Sequence, residues 1–267
     1  MNQGARERAL TAGVISAAAL LIALLVLPVG ALVLRGGAAG MHQLLLDAEL
    51  QHALALTAVA ATTATAITIL LGTPLAWLLA RNRMPARNVV AALIELPLLI
   101  PHPVAGIALL LAFGRASPAG AALATAGLRI VGSPFGIGLA MLFVAAPLYV
   151  SAARESIARV DERFEWIART LGDSQWSAVR RVTLPLAGRG LLAAAIVMWA
   201  RAVSEFGAIV ILTYNPKVAS VLSYDRFTAY GLDAALPVAA VLVLLAMIPL
   251  SLIRVVRREV AAPELSA

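Results

Sequence analysis

The sequence has no cysteine, a single lysine and little charge of either sign, and each scarcity removes a class of protein. Without cysteine, neither a disulfide framework nor a thiolate zinc site can form. The three histidines, His42, His52 and His102, lie far apart and lack metal-ligand spacing. The lone lysine, Lys217, follows a proline with no glycine ahead of it, so the sequence lacks a phosphate-cradling G-x-x-x-x-G-K-[S/T] loop. Charged residues make up only 13% of 267 positions, against 61% apolar, and the mean hydropathy is +0.92. A water-soluble domain carries roughly a quarter charged residues. So few charges could not cover a surface in water, whereas a bilayer removes that demand. The net charge of +7 does not imply nucleic acid, because all the basic residues but Lys217 are arginines in short clusters between apolar runs. That is the pattern of membrane orientation.

What is abundant is long apolar sequence. A span needs about 20 apolar residues to cross roughly 30 Å of hydrocarbon. Six stretches qualify: 10–34, 52–80, 89–113, 130–153, 190–212 and 234–253. The first is longer than the apolar core of a cleavable signal peptide and is expected to be retained. The third is interrupted by Glu95, Pro97, Pro101, His102 and Pro103, and the fifth contains Arg201 and Glu205. The stretch 116–128 is too short to cross and is expected to be a re-entrant or outer-surface segment. The expected fold is an all-α, polytopic membrane protein: one transmembrane domain of about six helices over residues 1–267. With both termini inside, 15 arginines fall on the cytoplasmic side and four arginines with Lys217 outside, a bias that satisfies the positive-inside rule.

One loop is long. Residues 154–189 join the fourth and fifth spans, and Ile157, Val160, Phe164, Ile167 and Leu171 are spaced 3, 4, 3 and 4, an apolar stripe on one helix. Gly172 is placed to end that helix, Asp173 to cap a second short one running to about Arg181, and Leu184-Pro185 to stop it. The predicted result is a helical elbow outside the membrane. The first helix balances Arg154, Arg159, Arg163 and Arg169 against Glu155, Asp161, Glu162 and Glu165. Helices held by anionic lipid carry an excess of Lys and Arg, so mixed charge beside an apolar stripe suits a protein groove better.

The segment Ala168-Arg-Thr-Leu-Gly-Asp followed by Val182-Thr-Leu-Pro resembles the cytoplasmic coupling loop of binding-protein-dependent ABC importer permeases. Their pattern is E-A-A, three residues, Gly, nine residues, I-x-L-P. Gly172 to Val182-x-Leu184-Pro185 keeps that spacing. At the front, Trp166-Ile167-Ala168 stands in place of Glu-Ala-Ala, with Glu165 preceding it. The resemblance implies a loop that docks on a separate ATPase subunit through Ile167, Ala168, Leu171, Gly172 and Asp173. It also implies two copies of this chain, a pair of ATPase subunits holding ATP and Mg, and an external oxyanion-binding protein. The chain itself would need no cofactor and would carry no catalytic residue.

Charges inside the membrane are costly and suggest function. Arg201 and Glu205 are four apart and can pair on one helix face, which neutralises both for insertion. The same segment, with Ser204, Phe206 and Gly207, is similar to the fifth helix of molybdate and tungstate importer permeases, where this region lies beside the gate. Tyr214-Asn-Pro-Lys and Tyr224-Asp-Arg-Phe-Thr-Ala-Tyr-Gly resemble the outer loop of the tungstate-type members, and the likeness runs over about 93–232. By that resemblance Phe206, as a plug, and Gly207 are candidates for lining the gate, beside Arg201, Ser204 and Glu205. Arg201 is expected to supply positive potential along the path for the anion, with Glu205 holding it in place. Glu95 and His102, seven apart and roughly on one helix face, are further path candidates. They would serve as a proton relay if the chain worked alone as a secondary transporter or channel. Glu95 could equally be a partner for Arg201.

Overall fold

Backbone polar groups in hydrocarbon can be satisfied only by one another, which selects helix. The computed structural model describes residues 3–258 and shows helices with no strand among the described residues. In chain order they are α1 (Gln3–Leu46), α2 (Ala48–Ala80), α3 (Arg87–Leu99), α4 (His102–Phe113), α5 (Pro118–Thr125), α6 (Pro134–Ala158), α7 (Glu162–Thr170), α8 (Gln175–Ala178), α9 (Leu184–Val203), α10 (Gly207–Leu212), α11 (Ala219–Tyr230) and α12 (Leu232–Arg258). Five helical stretches are long and apolar enough to cross a membrane, and the bent pair α3–α4 makes a sixth.

α6 is the centre. Ile137, Ala140, Met141, Val144 and Ala145 are fully buried on it, against small residues of α2 (Ala60, Ala61, Ala64) and α9 (Ala194, Ala202). Small side chains let helix backbones approach closely where lipid offers no hydrophobic drive to associate. α1 lies at the edge, packed on α12. It outruns the expected 10–34, and in the added turns Gly36 and Gly40 let it lie close against α12. A Cβ on Gly36 would sit 2.5 Å from the Leu236 carbonyl oxygen, and one on Gly40 would sit 2.6 Å from that of Pro237.

Two expected spans are broken. The third bends by 115° between α3 and α4, where Pro101 and Pro103 remove amide donors at the junction. The fifth stops at Val203 and resumes at Gly207 as α10. The two breaks pack on each other: a Cβ on Gly207 would lie 2.6 Å from His102 Cβ, and one on Gly106 would lie 2.7 Å from the Ala208 carbonyl oxygen.

The elbow also differs from its expected form. The stripe does not lie on one helix: Ile157 ends on α6, Val160 falls in the break, and only the later members ride on α7. α8 is capped by Ser174, whose side chain accepts from Ser177 N–H at 3.3 Å, and not by Asp173. Pro185 stops nothing. A π-helical segment, Val179–Thr183, widens the turn ahead of it, with Leu184 N–H donating to the Val179 carbonyl, and the helix runs on into α9. The wider turn relieves the clash of the proline ring with the carbonyl behind it.

Candidate functional site

α7 is exposed over most of its surface, its apolar stripe included, and of its residues only Glu165 and Ala168 are buried. Its apolar members Phe164, Ile167 and Leu171 are exposed, Leu171 at 84%, while the carboxylate of Glu165 is turned inward and only 2% exposed. Glu165 Oε1 accepts from Thr183 Oγ1 at 2.6 Å, Arg81 Nε at 2.9 Å and Trp77 Nε1 at 3.4 Å, and Arg81 Nη2 lies 2.8 Å away. Arg81 Nη1 also donates to the Val160 carbonyl at 2.9 Å, so one guanidinium holds the α6–α7 break and α7 together. Burial raises the Glu165 pKa, but the hydrogen bonds from Thr183, Arg81 and Trp77 and the Arg81 charge outweigh it, and the group titrates below the ordinary glutamate range. Trp176 of α8 packs on Trp77 with ring centroids 5.3 Å apart, and Arg83 covers the Trp77 ring at 5.0 Å. The elbow is therefore pinned to the end of α2 from below and left bare on top.

Of the residues expected to dock, Ile167, Leu171 and Gly172 lie on the bare surface. Gly172 has φ +102°, the left-handed conformation that ends α7. Ala168 faces inward beside Glu165 and is buried. Asp173 accepts from Ser177 Oγ at 2.6 Å and from Arg181 at 3.1 Å, holding the turn. Trp166 and Trp176 add exposed aromatic surface to the same elbow. Glu165, Arg81, Trp77 and Thr183 went unrecognised in the sequence. The signal was faint: a glutamate one position off an apolar stripe reads as solvated until the stripe is known to face outward.

The second cluster sits where the two helix breaks meet. Trp199 donates to Thr62 at 3.0 Å and Ala219 N–H to Thr57 at 3.0 Å, which sets its height near the middle of α2. Arg201 Nη2 lies 2.8 Å from Glu205 Oε2 and 2.8 Å from His102 Nε2, and His102 Nδ1 is 3.7 Å from the same carboxylate. Glu205 is nearly sealed from solvent. Its other oxygen accepts from Ala208 N–H at 2.9 Å, capping α10, and its carbonyl accepts from Ser220 Oγ at 2.7 Å. The carboxylate thus neutralises Arg201 and restarts the helix at once. Arg201 and His102 remain partly open, with side chains 23% and 43% exposed. Ser204 donates to the Arg201 carbonyl at 3.0 Å, and Phe206 packs on Tyr224 with centroids 5.0 Å apart.

Glu95 does not join this cluster. It accepts from Ser151 Oγ at 3.2 Å, and the 115° bend between α3 and α4 separates it from His102, so the two share no helix face and Arg201 takes Glu205 in its place. A relay through Glu95 and His102, and with it the self-sufficient transporter, loses its geometric basis.

At the end opposite α7, Arg226 pairs with Asp47 at 2.6 Å and Glu49 at 3.2 Å, and Lys217 with Asp225 at 2.6 Å. The Lys217 and Tyr214 hydrogen bonds hold the Asp225 carboxyl below its ordinary range. The Arg226 pairs, with Lys217 3.6 Å from Glu49, tie α11 and the loop ahead of it to the α1–α2 corner.

The chain is 44% identical over 186 residues to the molybdate/tungstate transport system permease protein WtpB of Thermococcus kodakarensis, covering 69% of this chain and 70% of that protein. It is 39% identical over 226 residues to a probable molybdenum ABC transporter permease protein of Haloferax volcanii, covering 85% and 82%. In fold it is similar to a chain of a bacterial alginate ABC transporter crystallised with an alginate-bound periplasmic protein, with TM-score 0.70 at 15% identity, covering 94% and 93%. Helices broken at mid-height, an elbow pinned beneath and bare above, and a match over residues 72–263 lead to one conclusion: the chain belongs to the family of binding-protein-dependent transport system inner membrane components.

Proposed function

We propose that this chain is the membrane subunit of an importer for molybdate or tungstate, driven by a separate ATPase that docks on the α7–α8 elbow. The exposed apolar stripe of the elbow carries the reading. An elbow that buries Glu165 and exposes Phe164, Ile167 and, at the end of α7, Leu171 is held in shape for something that is not this chain. Support for the anion comes from the names of the relatives and from Arg201 and His102, which present nitrogen donors at mid-height. Their partial exposure to hydrocarbon would be costly, so that face is read as turned toward a water-filled path and a second copy of the chain. Phe206 and Gly207 then stand beside the gate, and an external binding protein delivers the anion at the Lys217 end. The arginine bias puts the elbow and both termini in the cytoplasm. ATP and Mg belong to the ATPase; this chain passes on movement and catalyses nothing.

The test is to purify the tagged chain gently from membranes and identify its partners, alongside Gly172→Asp and Arg201→Gln. The parent should bring down an ABC-type ATPase and Gly172→Asp should lose it. Arg201→Gln should keep the ATPase but lose at least about 10-fold in molybdate- or tungstate-stimulated hydrolysis with the binding protein present, the effect of removing one charged contact. Repeated recovery of the parent without an ATPase would end the docking reading. Unchanged stimulation in Arg201→Gln would end the role of Arg201.

A further inference from the structure

We propose that the chain carries a site for an anionic phospholipid at the end opposite α7, with the phosphate on Arg115 and Arg129 and one acyl chain in the crevice between α2 and α6. The bend in the third span creates the room. After α3 the chain turns by 115° and α4 leaves to pack on α10, so the part of the α2–α6 crevice beyond α3 stays open. It is a hollow of about 380 Å³ walled by apolar side chains, among them Leu56, Ile67, Phe135 and Leu142. Along α2 it extends from Leu56 to Ile67, about 16 Å of helix rise. That matches the hydrocarbon depth of a single leaflet, about half of 30 Å.

Ile130 forms the rim of this hollow and also one wall of a second, of about 260 Å³, which holds Arg115 and Arg129. Both arginines are exposed, and neither is in an ion pair among the described residues. The frame around them is firm: Ser117 caps α5 and Ser133 caps α6, each accepting from a backbone N–H. Two unneutralised guanidiniums opening through one shared isoleucine onto an apolar slot match a molecule with both a phosphate and a hydrocarbon tail. A free anion would use only the first half. On the cytoplasmic side, basic pockets between membrane helices bind anionic headgroups by this combination, and here the same pairing faces the opposite leaflet.

Native mass spectrometry of the full-length chain in mild detergent, titrated with phosphatidylglycerol or phosphatidylcholine, tests it. Phosphatidylglycerol should be retained preferentially, and inorganic phosphate should fail to displace it. Arg115→Gln with Arg129→Gln should weaken phosphatidylglycerol about 25-fold, roughly five-fold for each arginine. Gly138→Trp should abolish binding of both lipids, since residue 138 lines the slot and a Cβ there meets nothing within 4 Å. The arginines are at the surface, so their replacement tests the site even if the tryptophan variant fails to fold. Equal binding of the two lipids, displacement by phosphate, or unchanged phosphatidylglycerol binding in the double variant would overturn the site. So would cross-linking that shows a second copy of the chain seated in the slot.

Discussion

Glu165 accepts three hydrogen bonds and an ion pair while almost out of reach of solvent, and Arg81, its main partner, is 5% exposed. Removing one member of such a pair leaves the other charge buried and alone, at a cost of about 3–5 kcal/mol. Glu165→Ala should therefore free α7 while the transmembrane helices persist. Hydrogen exchange of the amides at 162–171 should speed up about a hundred-fold or more, the equivalent of ~3 kcal/mol, with little change in α6. The wild-type elbow should loosen in acid. The folded-state pKa of Glu165 is depressed, so its contribution is complete above the ordinary glutamate range and is lost as pH falls through the lowered folded-state value. Protection at 162–171 measured down a pH series should fall at that low end and stay flat through neutrality. Glu205 is the same device in the membrane, one carboxylate oxygen serving Arg201 and the other the first turn of α10.

At the scale of elements, the two broken spans act as one joint. α4 and α10 meet backbone to backbone because Gly106 and Gly207 carry no Cβ. Gly207→Ala would push against His102 and Pro103, and overpacking of this kind costs about 1–3 kcal/mol. The thermal transition of the purified chain should drop, and the Arg201–His102 contact should open with it. Gly188→Ala is the matched control: its Cβ meets nothing within 4 Å, and alanine favours the helix by about 1 kcal/mol, so its transition should hold or rise. The π segment ahead of Pro185 is the other element-scale device. It carries α8 into α9 without a stop, so one continuous helix joins the elbow to Arg201.

Across the whole molecule, α6 is wrapped by α2, α9, α10 and the bent pair, while α1 touches little besides α12. That seam rests on Gly36 and Gly40 over Leu236 and Pro237. Gly36→Leu with Gly40→Leu should separate α1 from α12 and leave the α2–α6–α9 core intact. Cysteine pairs placed across the α1–α12 seam should cross-link in the parent and not in the variant, and the chain has no native cysteine to interfere. At the far end, the pairs of Arg226 with Asp47 and Glu49 should keep α11 on the α1–α2 corner in both.

Membrane residence, a helical fold, the existence of an elbow between the fourth and fifth spans and the unusual charges at Arg201 and Glu205 all follow from the sequence. Hydropathy, charge scarcity and i, i+4 spacing are summed along the chain, and neighbours in sequence suffice to read them. The Arg201–Glu205 pair was legible for that reason. Which way α7 faces was not, because its stripe fits a buried and an exposed helix equally well. Only the placement of Arg81, Trp77 and Thr183 around Glu165 turns that one carboxylate in and leaves the stripe outside. The breaks in the third and fifth spans, the company of His102 with Arg201 and the isolation of Glu95 were likewise decided in three dimensions. Each depends on contacts between segments about a hundred residues apart or on bends that redirect a helix, and no local pattern encodes where such segments meet.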